Sequence, residues 1–335
     1  MRKYHVYGIG NALVDTEIEV SDEELNTMGV EKSLMTLVDA PRQAELIKFL
    51  SNHLVAASRA SGGSGANSII ASSYFGGEAF YSCKVSNDPD GDFYVKDMRE
   101  AGVDCNLGDD RQEGITGRCL VLITADAERS MNTYLGISES LSVAELSPAA
   151  IADSEYVYLE GYLVTSPTGR AAAIKTRELA EQHQVKTAMS FSDPGMVEFF
   201  KDGLQEMLGD GVDLVFCNEA EAKFWADTDN LDTAVDALKK VARTFAITLG
   251  AEGSLVYDGT ELSKIAAHAV TAIDTNGAGD MFAGAFLYAI THGYSYREAG
   301  ELASLGAAQV VAQYGPRLAA HQHVALLQAF QNQRG

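Results

Sequence analysis

The sequence predicts an α/β fold, a mainly parallel sheet with helices on both faces and a smaller β-sheet laid over it as a lid. Three observations carry this expectation. Short apolar runs typical of buried strands alternate with segments of helical spacing through most of the chain. Other segments, near the amino terminus and around residue 120, read as short strands and a hairpin outside that alternation. No internal repeat, low-complexity tract or linker divides the 335 residues, so one domain of residues 1–335 is expected, with lid segments at about 13–39 and 113–136 inserted in it.

The elements follow in chain order. Tyr4 to Ile9 is a short apolar strand, and Leu13 to Val20 sets Asp15, Glu17 and Glu19 between apolar neighbours, as a strand with one wet face requires. A further lid strand is expected at 33–38. Pro41 to Leu54 has helical spacing through Ala44, Leu46, Ile47, Phe49 and Leu50. The glycine cluster Ser61 to Asn67 opens an apolar segment through Ile69, Ile70 and Ala71. Arg118–Ile123 and Arg129–Tyr134 form a hairpin around the turn-prone Ala125–Glu128. Thereafter strands and helices alternate: Tyr156–Leu159 precedes a helix over 168–183, Leu214–Phe216 precedes one over 218–225, and Phe245–Thr248 leads into a glycine turn. Helices over 279–292 and 296–313 complete the chain.

Composition narrows the function. With 25 basic and 47 acidic side chains the formal charge is −22, which weighs against a nucleic-acid partner, since a polyanion is attracted by a cationic face. The acids cluster in Asp15–Glu24 and Asp88–Asp110, whereas residues 275–279 carry no charged side chain. The expectation is that net charge describes the solvated surface and that its local absence marks the site. Cys83, Cys105, Cys119 and Cys217 are widely spaced without a C-x-x-C pair, so neither a zinc module nor a disulfide framework is indicated, and a reducing cytoplasm is the simplest setting. The seven histidines, His321 and His323 among them, show no metal-like spacing. The amino terminus lacks the apolar run of a signal peptide, and no apolar stretch is long enough to cross a bilayer. A soluble, cytoplasmic protein without a membrane partner is expected.

The chemistry concentrates in Asp274-Thr-Asn-Gly-Ala-Gly-Asp280 and the apolar helix behind it. Small residues at Gly277, Ala278 and Gly279 let successive backbone N–H groups converge at a helix start, where the helix dipole is positive. Asp280 falls in the first helical turn and is a candidate proton acceptor; taken alone, it could equally cap the helix. Gly62-Gly63-Ser64-Gly65-Ala66-Asn67 combines glycines that permit close approach with an amide that both donates and accepts, or is a plain loop with Asn67 as a cap. Asn218 and Glu221, three apart, share a helical face and could serve one hydrated ion, although such a spacing is common by chance. Competing phosphate motifs are missing: no glycine cluster is followed by the Walker lysine, Leu13 stands where a Rossmann fingerprint starting at Gly8 needs its third glycine, and there is no G-x-S-x-G elbow.

Taken whole, the string Asp274 to Leu287 closely resembles the carboxyl-terminal signature of the ribokinase-like (PfkB) family of carbohydrate and nucleoside kinases. Gly62 to Asn67 resembles that family's amino-terminal signature, although Ser86 and Asn87 stand downstream where Gly-Asp is usual. Gly10 to Asp15 looks like its first strand, Asn218-Glu-Ala-Glu221 like its N-x-x-E motif, and Thr248 to Gly253 like its nucleotide turn. The resemblance runs from about residue 5 to 320 in the expected order. It implies the ribokinase-like fold, with ATP and Mg²⁺ as cofactors. It gives the phosphoryl cradle to Gly277–Gly279 and the role of general base to Asp280. Substrate hydroxyls would fall to Asp15, Gly62, Gly63 and Asn67, and ATP to Asn218, Thr248, Gly250 and Gly253. Glu221 would meet magnesium through water, and a potassium-type ion would lie near Asp274 and Gly315.

Within the family, Gly8–Asp15, Asp274–Asp280 and Glu128–Gly136 look most like the adenosine kinase branch. That resemblance makes Arg129 a lid arginine directed at the phosphates, with pairing to nearby acids as the alternative, and offers Tyr162 as a platform for a purine, with a plain core tyrosine as the alternative. The expected reaction is transfer of the ATP γ-phosphoryl group to the 5′-hydroxyl of a nucleoside, adenosine before others. A sugar such as ribose or fructose, or inosine or guanosine, is the alternative substrate, and a nonenzymatic binding module the alternative class. The lid edge strands leave both monomer and homodimer open.

Overall fold

The structure, a computed structural model, describes residues 2–53, 58–126 and 128–332; Leu54 at the end of the expected second helix, Ala127 in the hairpin turn, and the outermost ends of the chain lie outside them. Its strands are β1 (Tyr4–Ile9), β2 (Leu13–Glu19), β3 (Met35–Leu37), β4 (Ser58–Gly62), β5 (Ala79–Ser82), β6 (Val103–Cys105), β7 (Gly117–Ile123), β8 (Arg129–Tyr134), β9 (Ser154–Leu159), β10 (Lys186–Ser190), β11 (Val212–Asn218), β12 (Ala242–Thr248), β13 (Ser254–Tyr257) and β14 (Leu262–Ile265). Among the described residues they form a nine-stranded sheet, ordered β14-β13-β12-β11-β10-β9-β1-β5-β6, and a five-stranded sheet, ordered β3-β8-β7-β2-β4. The large sheet is parallel from β6 to β12 and antiparallel at β13 and β14.

The strands of the large sheet are apolar on both faces, which is why they read as continuous runs in the sequence. Val6, Tyr158, Leu214 and Phe216 enter one core with the helices Ser64–Tyr74, Ala278–Thr291 and Tyr296–Val311. Their strand neighbours Tyr7, Leu159 and Val215 enter the opposite core with the helices Pro167–Gln182, Pro194–Leu208 and Glu219–Ala226. His323 is an interior packing residue, edge-on to the rings of Tyr74 and Phe75. No helix among the described residues is long and apolar enough to cross a membrane.

The small sheet has two dissimilar faces. Ile18, Leu120 and Leu122 pack beneath the helices Asp22–Met28 and Ala40–Phe49 through Leu25, Met28 and Leu46. Cys119 and Val121 turn the other way, towards the cavity described below. Two sequence expectations need correction. The helix expected over 41–54 ends at Phe49 and tightens into a 3₁₀ turn over Leu50–Asn52. The small sheet also contains β4, outside both expected lid segments and antiparallel to β2. Ser58-Arg-Ala-Ser-Gly62 has no apolar alternation, and its strand character comes from the partner it pairs with.

Candidate active site

A cavity of about 490 Å³ opens where the carboxyl ends of β1, β9, β10, β11 and β12 meet the inner face of the small sheet. Ligands of open parallel sheets bind outside these strand ends, because the connecting loops there can diverge and carry polar groups.

The helix Ala278–Thr291 points its amino terminus into this space. Gly277 precedes it at φ +75°, and a Cβ built there would lie 2.0 Å from the carbonyl oxygen of Pro316, so the turn needs glycine for conformation and for space. No side chain caps the helix, whose first N–H groups have no acceptor within it. Gly279 differs from Gly277. A Cβ there would meet nothing within 4 Å, so the protein's own packing does not demand glycine.

Asp280, in the first turn, does not cap its helix. Its Oδ1 accepts the Ser64 hydroxyl at 2.6 Å and its Oδ2 accepts the Asn67 amide at 3.0 Å. Burial pushes the Asp280 carboxyl up, and these two bonds pull it back. Asn67 sits inside the helix Ser64–Tyr74, whose N-cap is Gly63, so it is not a cap either. Gly63 takes φ +93°, with the carbonyl of Asn11 2.2 Å from where its Cβ would be. The Oδ1 atom of Asn67 is buried without a hydrogen-bond partner among the described residues.

Asp15 lies on β2 at the edge of the same cavity, only 7% exposed, with its carboxyl against the Cα of Gly62. The acidic face of β2, expected to be wet, is covered at Asp15 and open at Glu19. Burial pushes Asp15 up to about 7, opposed by the nearby charge of Arg317. A carboxyl raised from 3.8 to about 7 holds its proton longer in the native state than in the unfolded chain, so its contribution to stability is lost as pH rises between those values. Asp15→Asn is therefore expected to melt higher than the parent, with a larger gain at pH ~8 than at pH ~5. Thermal scans at the two pH values check this, and an equal shift at both contradicts it.

Asn218 and Glu221 form a capping box on the helix Glu219–Ala226: Asn218 Oδ1 accepts the Glu221 N–H at 2.9 Å, and Glu221 accepts the Asn218 N–H at 3.0 Å and its amide at 2.6 Å. Burial pushes Glu221 up to about 8, with Asp193 adding to the rise. Thr248 and Tyr162 also line the cavity. Gly250 and Gly253 do not; they build the β12–β13 turn at φ +58° and +93°. Ala278, Gly62, Asp274 and Gly315 lie beside the cavity rather than on its wall. The Asp274 carboxylate accepts the N–H groups of Asn276 and Gly315 at 2.8 and 2.7 Å and pairs with the guanidinium of Arg129, which also lies 3.8 Å from Glu17. Burial pushes Arg129 down to about 10, which leaves it charged at neutral pH. With that positive charge against Asp274, the donor set does not fit a monovalent cation.

The pattern of the pfkB family carbohydrate kinases matches residues 43–322, most of the chain. The chain belongs to the PfkB family. It is thus a kinase, a phosphotransferase acting on an alcohol group. It is similar to the adenosine kinase of Sinorhizobium meliloti, 36% identical with a TM-score of 0.90 over 98% of this chain and 99% of that one. A probable sugar kinase from Rhizobium etli is 32% identical, with the same TM-score over 98% of this chain and all of that one. Adenosine kinase of Schizophyllum commune is 27% identical over 95% of this chain and 97% of its own length.

Several wall residues of this PfkB kinase carry weak signals in the sequence. Leu13, Cys119, Val121, Leu135 and Met131 give the small-sheet side an apolar surface, and nothing in their local strings sets them apart from core positions. Glu160 was legible in principle, as an acid placed directly after the buried strand β9 at its carboxyl end. The charge expectation also needs correction. Residues 275–279 are free of charge, but Asp15, Glu128, Glu160, Asp193, Glu221 and Asp280 line the cavity against one basic side chain among the described lining residues, Arg129.

Proposed function

We propose that this kinase transfers the γ-phosphoryl group of ATP to the primary 5′-hydroxyl of a nucleoside, adenosine in first place, within one domain whose small sheet serves as a lid. The observation that carries the reading is the placement of Asp280. A carboxylate fixed by Ser64 and Asn67 stands in the first turn of an uncapped helix that opens on the cavity. An attacking hydroxyl lodged against Asp280 would face a phosphoryl group held by the N–H groups of the Gly277–Gly279 turn.

Each wall contributes a different part. Asp15 and the unpaired Oδ1 of Asn67 are acceptors suited to ribose hydroxyls; Gly62 makes room for the Asp15 carboxyl, and Gly63 lies on the wall where a sugar would meet the backbone. Leu13, Cys119, Val121 and Leu135, with the ring of Tyr162, offer apolar surface that suits the face of a base. The ATP side falls to Asn218, Thr248 and the turn containing Gly250 and Gly253. Arg129 keeps one positive charge near the cradle. Asp280 orients the hydroxyl throughout and takes its proton late, because an alcohol is far less acidic than a carboxylic acid. The lid would exclude water, which suppresses hydrolysis of ATP.

Magnesium fits this wall only as a hydrated ion. Both oxygens of Glu221 are engaged by Asn218, and no group of three or more metal-ligating side chains occurs among the described residues. A buried carboxyl raised to about 8 is nonetheless stabilised in its charged form by a nearby cation. Asn218 and Glu221 would hold the ion through its waters, where it would offset repulsion between the phosphates and the acidic wall.

A free sugar is the second reading, favoured by the similarity to the Rhizobium etli protein. The apolar surface opposite Asp280 counts against it, since a sugar alone leaves that surface uncovered. A comparison of acceptors in an ATP-coupled assay separates the two.

A further inference from the structure

Among the described residues, Ser33, Gln184, Ser192 and Asp227 take positive φ although they are not glycines. Gln184 and Asp227 stand at helix ends, where a left-handed residue is a common stop. Ser33 has partners for both its polar groups: its N–H donates to Ser130 Oγ at 3.0 Å and its hydroxyl to Glu128 at 2.6 Å. Ser192, at φ +71°, differs from all three. It is the middle residue of a turn in which the Asp193 N–H donates to the Phe191 carbonyl at 2.9 Å, and a three-residue turn with positive φ at its centre is the strained form. Its N–H donates to Ser190 Oγ at 3.1 Å, but its own hydroxyl oxygen is buried without a hydrogen-bond partner among the described residues. The residue lines the cavity. Both flanks clamp the turn. Upstream, the Phe191 N–H donates to the Phe216 carbonyl at 3.0 Å, and a Cβ on Gly161 would lie 2.4 Å from the Ser190 carbonyl oxygen. Downstream, Asp193 Oδ1 caps the helix Pro194–Leu208 by accepting the Gly195 N–H at 2.8 Å. Glycine would adopt the same φ without strain, so a serine here costs stability and leaves a polar group unsatisfied.

We infer that the Ser192 hydroxyl is a binding group for ATP, donating a hydrogen bond to an oxygen of its phosphate chain. In the sheet Ser190 stands opposite Phe216, and two residues beyond that pair come Ser192 on one segment and Asn218 on the other. Ser192 therefore belongs to the side of the cavity proposed above for ATP. That wall is rich in acceptors: Asp193 and Glu221 bring carboxyl groups, and the Asn218 amide donates to Glu221 at 2.6 Å. A phosphate oxygen brought against it meets acids, and the hydroxyl of Ser192 supplies a donor. The clamped turn fixes the backbone, so rotation of the Cα–Cβ bond between staggered positions is the one motion needed to carry the hydroxyl from its covered seat into the cavity. Ordering a single torsion costs little on binding. The inference rests on the reading that ATP lies along Asn218 and Thr248, and it is independent of which alcohol accepts the phosphoryl group.

The test compares the parent, Ser192→Gly and Ser192→Ala by thermal scans without ligand, by equilibrium binding of a nonhydrolysable ATP analogue with magnesium, and by steady-state kinetics. Glycine removes the strain and the hydroxyl together, whereas alanine removes the hydroxyl alone. Ser192→Gly is expected to melt above both the parent and Ser192→Ala. Both variants are expected to bind the analogue roughly 10–30-fold more weakly, as loss of a hydrogen bond to a charged group predicts, and to raise KM for ATP while KM for the acceptor stays within about threefold. Unchanged analogue binding in both variants overturns the inference. So does a loss in Ser192→Gly alone, which traces the effect to the backbone, or a loss confined to KM for the acceptor, which assigns the hydroxyl to the other substrate. A Ser192→Gly protein that melts below the parent overturns it at its premise, since the turn is then not strained. Failure of the parent itself to bind the analogue removes the ATP reading of this wall, and the inference with it. An acceptor other than a nucleoside leaves the binding result standing, because the analogue is titrated with no acceptor present.

Discussion

Asp280→Asn is expected to lower kcat by at least ~10³ and to leave nucleoside binding within a few-fold. The size of the effect follows from the two bonds the carboxylate makes. Ser64 and Asn67 both donate to it, so they fix its orientation, and replacing one oxygen by an amide turns a donor towards a donor or towards the attacking hydroxyl. The variant keeps the volume and the surrounding turn, so the nucleoside is still held by the walls. Steady-state kinetics beside equilibrium nucleoside binding checks the split, and near-normal turnover would sink the assignment of Asp280 as base.

Gly279→Ala is expected to fold at least as stably as the parent and to lose ~10² in kcat. Residue 279 is helical and a Cβ there meets no atom within 4 Å, so alanine fits and its helix propensity is better than that of glycine. The open space around that position is where the cradle would hold the phosphoryl group, and a methyl group there displaces it from the N–H donors. A thermal scan and a kinetic assay on the same preparation decide the matter. Full activity in a stable Gly279→Ala protein contradicts the proposed cradle, whereas loss of stability contradicts the reading of its packing. Gly277 offers no such separation, because its φ of +75° and the Pro316 carbonyl make any side chain there a folding defect first.

The contrast between these glycines shows what the sequence could carry. The motif around Asp280 was legible because helix start, small residues and acid are adjacent in the chain. Its partners Ser64 and Asn67 lie more than 200 residues away. Their motif was legible too, but the bonds joining the two motifs exist only in three dimensions. Strands β1, β9, β11 and β12 were visible because a parallel sheet covered on both faces writes itself as apolar runs. Strand β4 was not, since its pairing with β2 does not depend on its own side chains.

Burial explains the remaining differences. Asp15 and Glu17 alternate with apolar residues as on a solvated face, yet Asp15 is buried on the cavity wall, where its polarity serves a ligand rather than water, and Glu17 lies by Arg129. Arg129 is an ordinary charged residue in the sequence; whether it meets phosphate or acid depends on where Asp274 and Glu17 arrive, and here it pairs with Asp274. The N-x-x-E spacing of Asn218 and Glu221 encodes a capping box as directly as it encodes a site for a hydrated ion, and the structure uses it as the former while leaving both residues on the cavity wall. The net charge of −22 describes the surface and also much of that wall, while the turn at 275–279 carries none.

The most direct test of the account is a comparison of acceptors with Mg-ATP, in which adenosine, inosine, guanosine, cytidine, ribose and fructose are assayed for kcat/KM and the position of the new phosphate is determined. Adenosine is expected to exceed ribose and fructose by at least ~10², because only a nucleoside covers the apolar wall, and its product should carry the phosphate on the 5′-oxygen. A preference for ribose or fructose, phosphate at another hydroxyl, or no turnover with any of the six would contradict it.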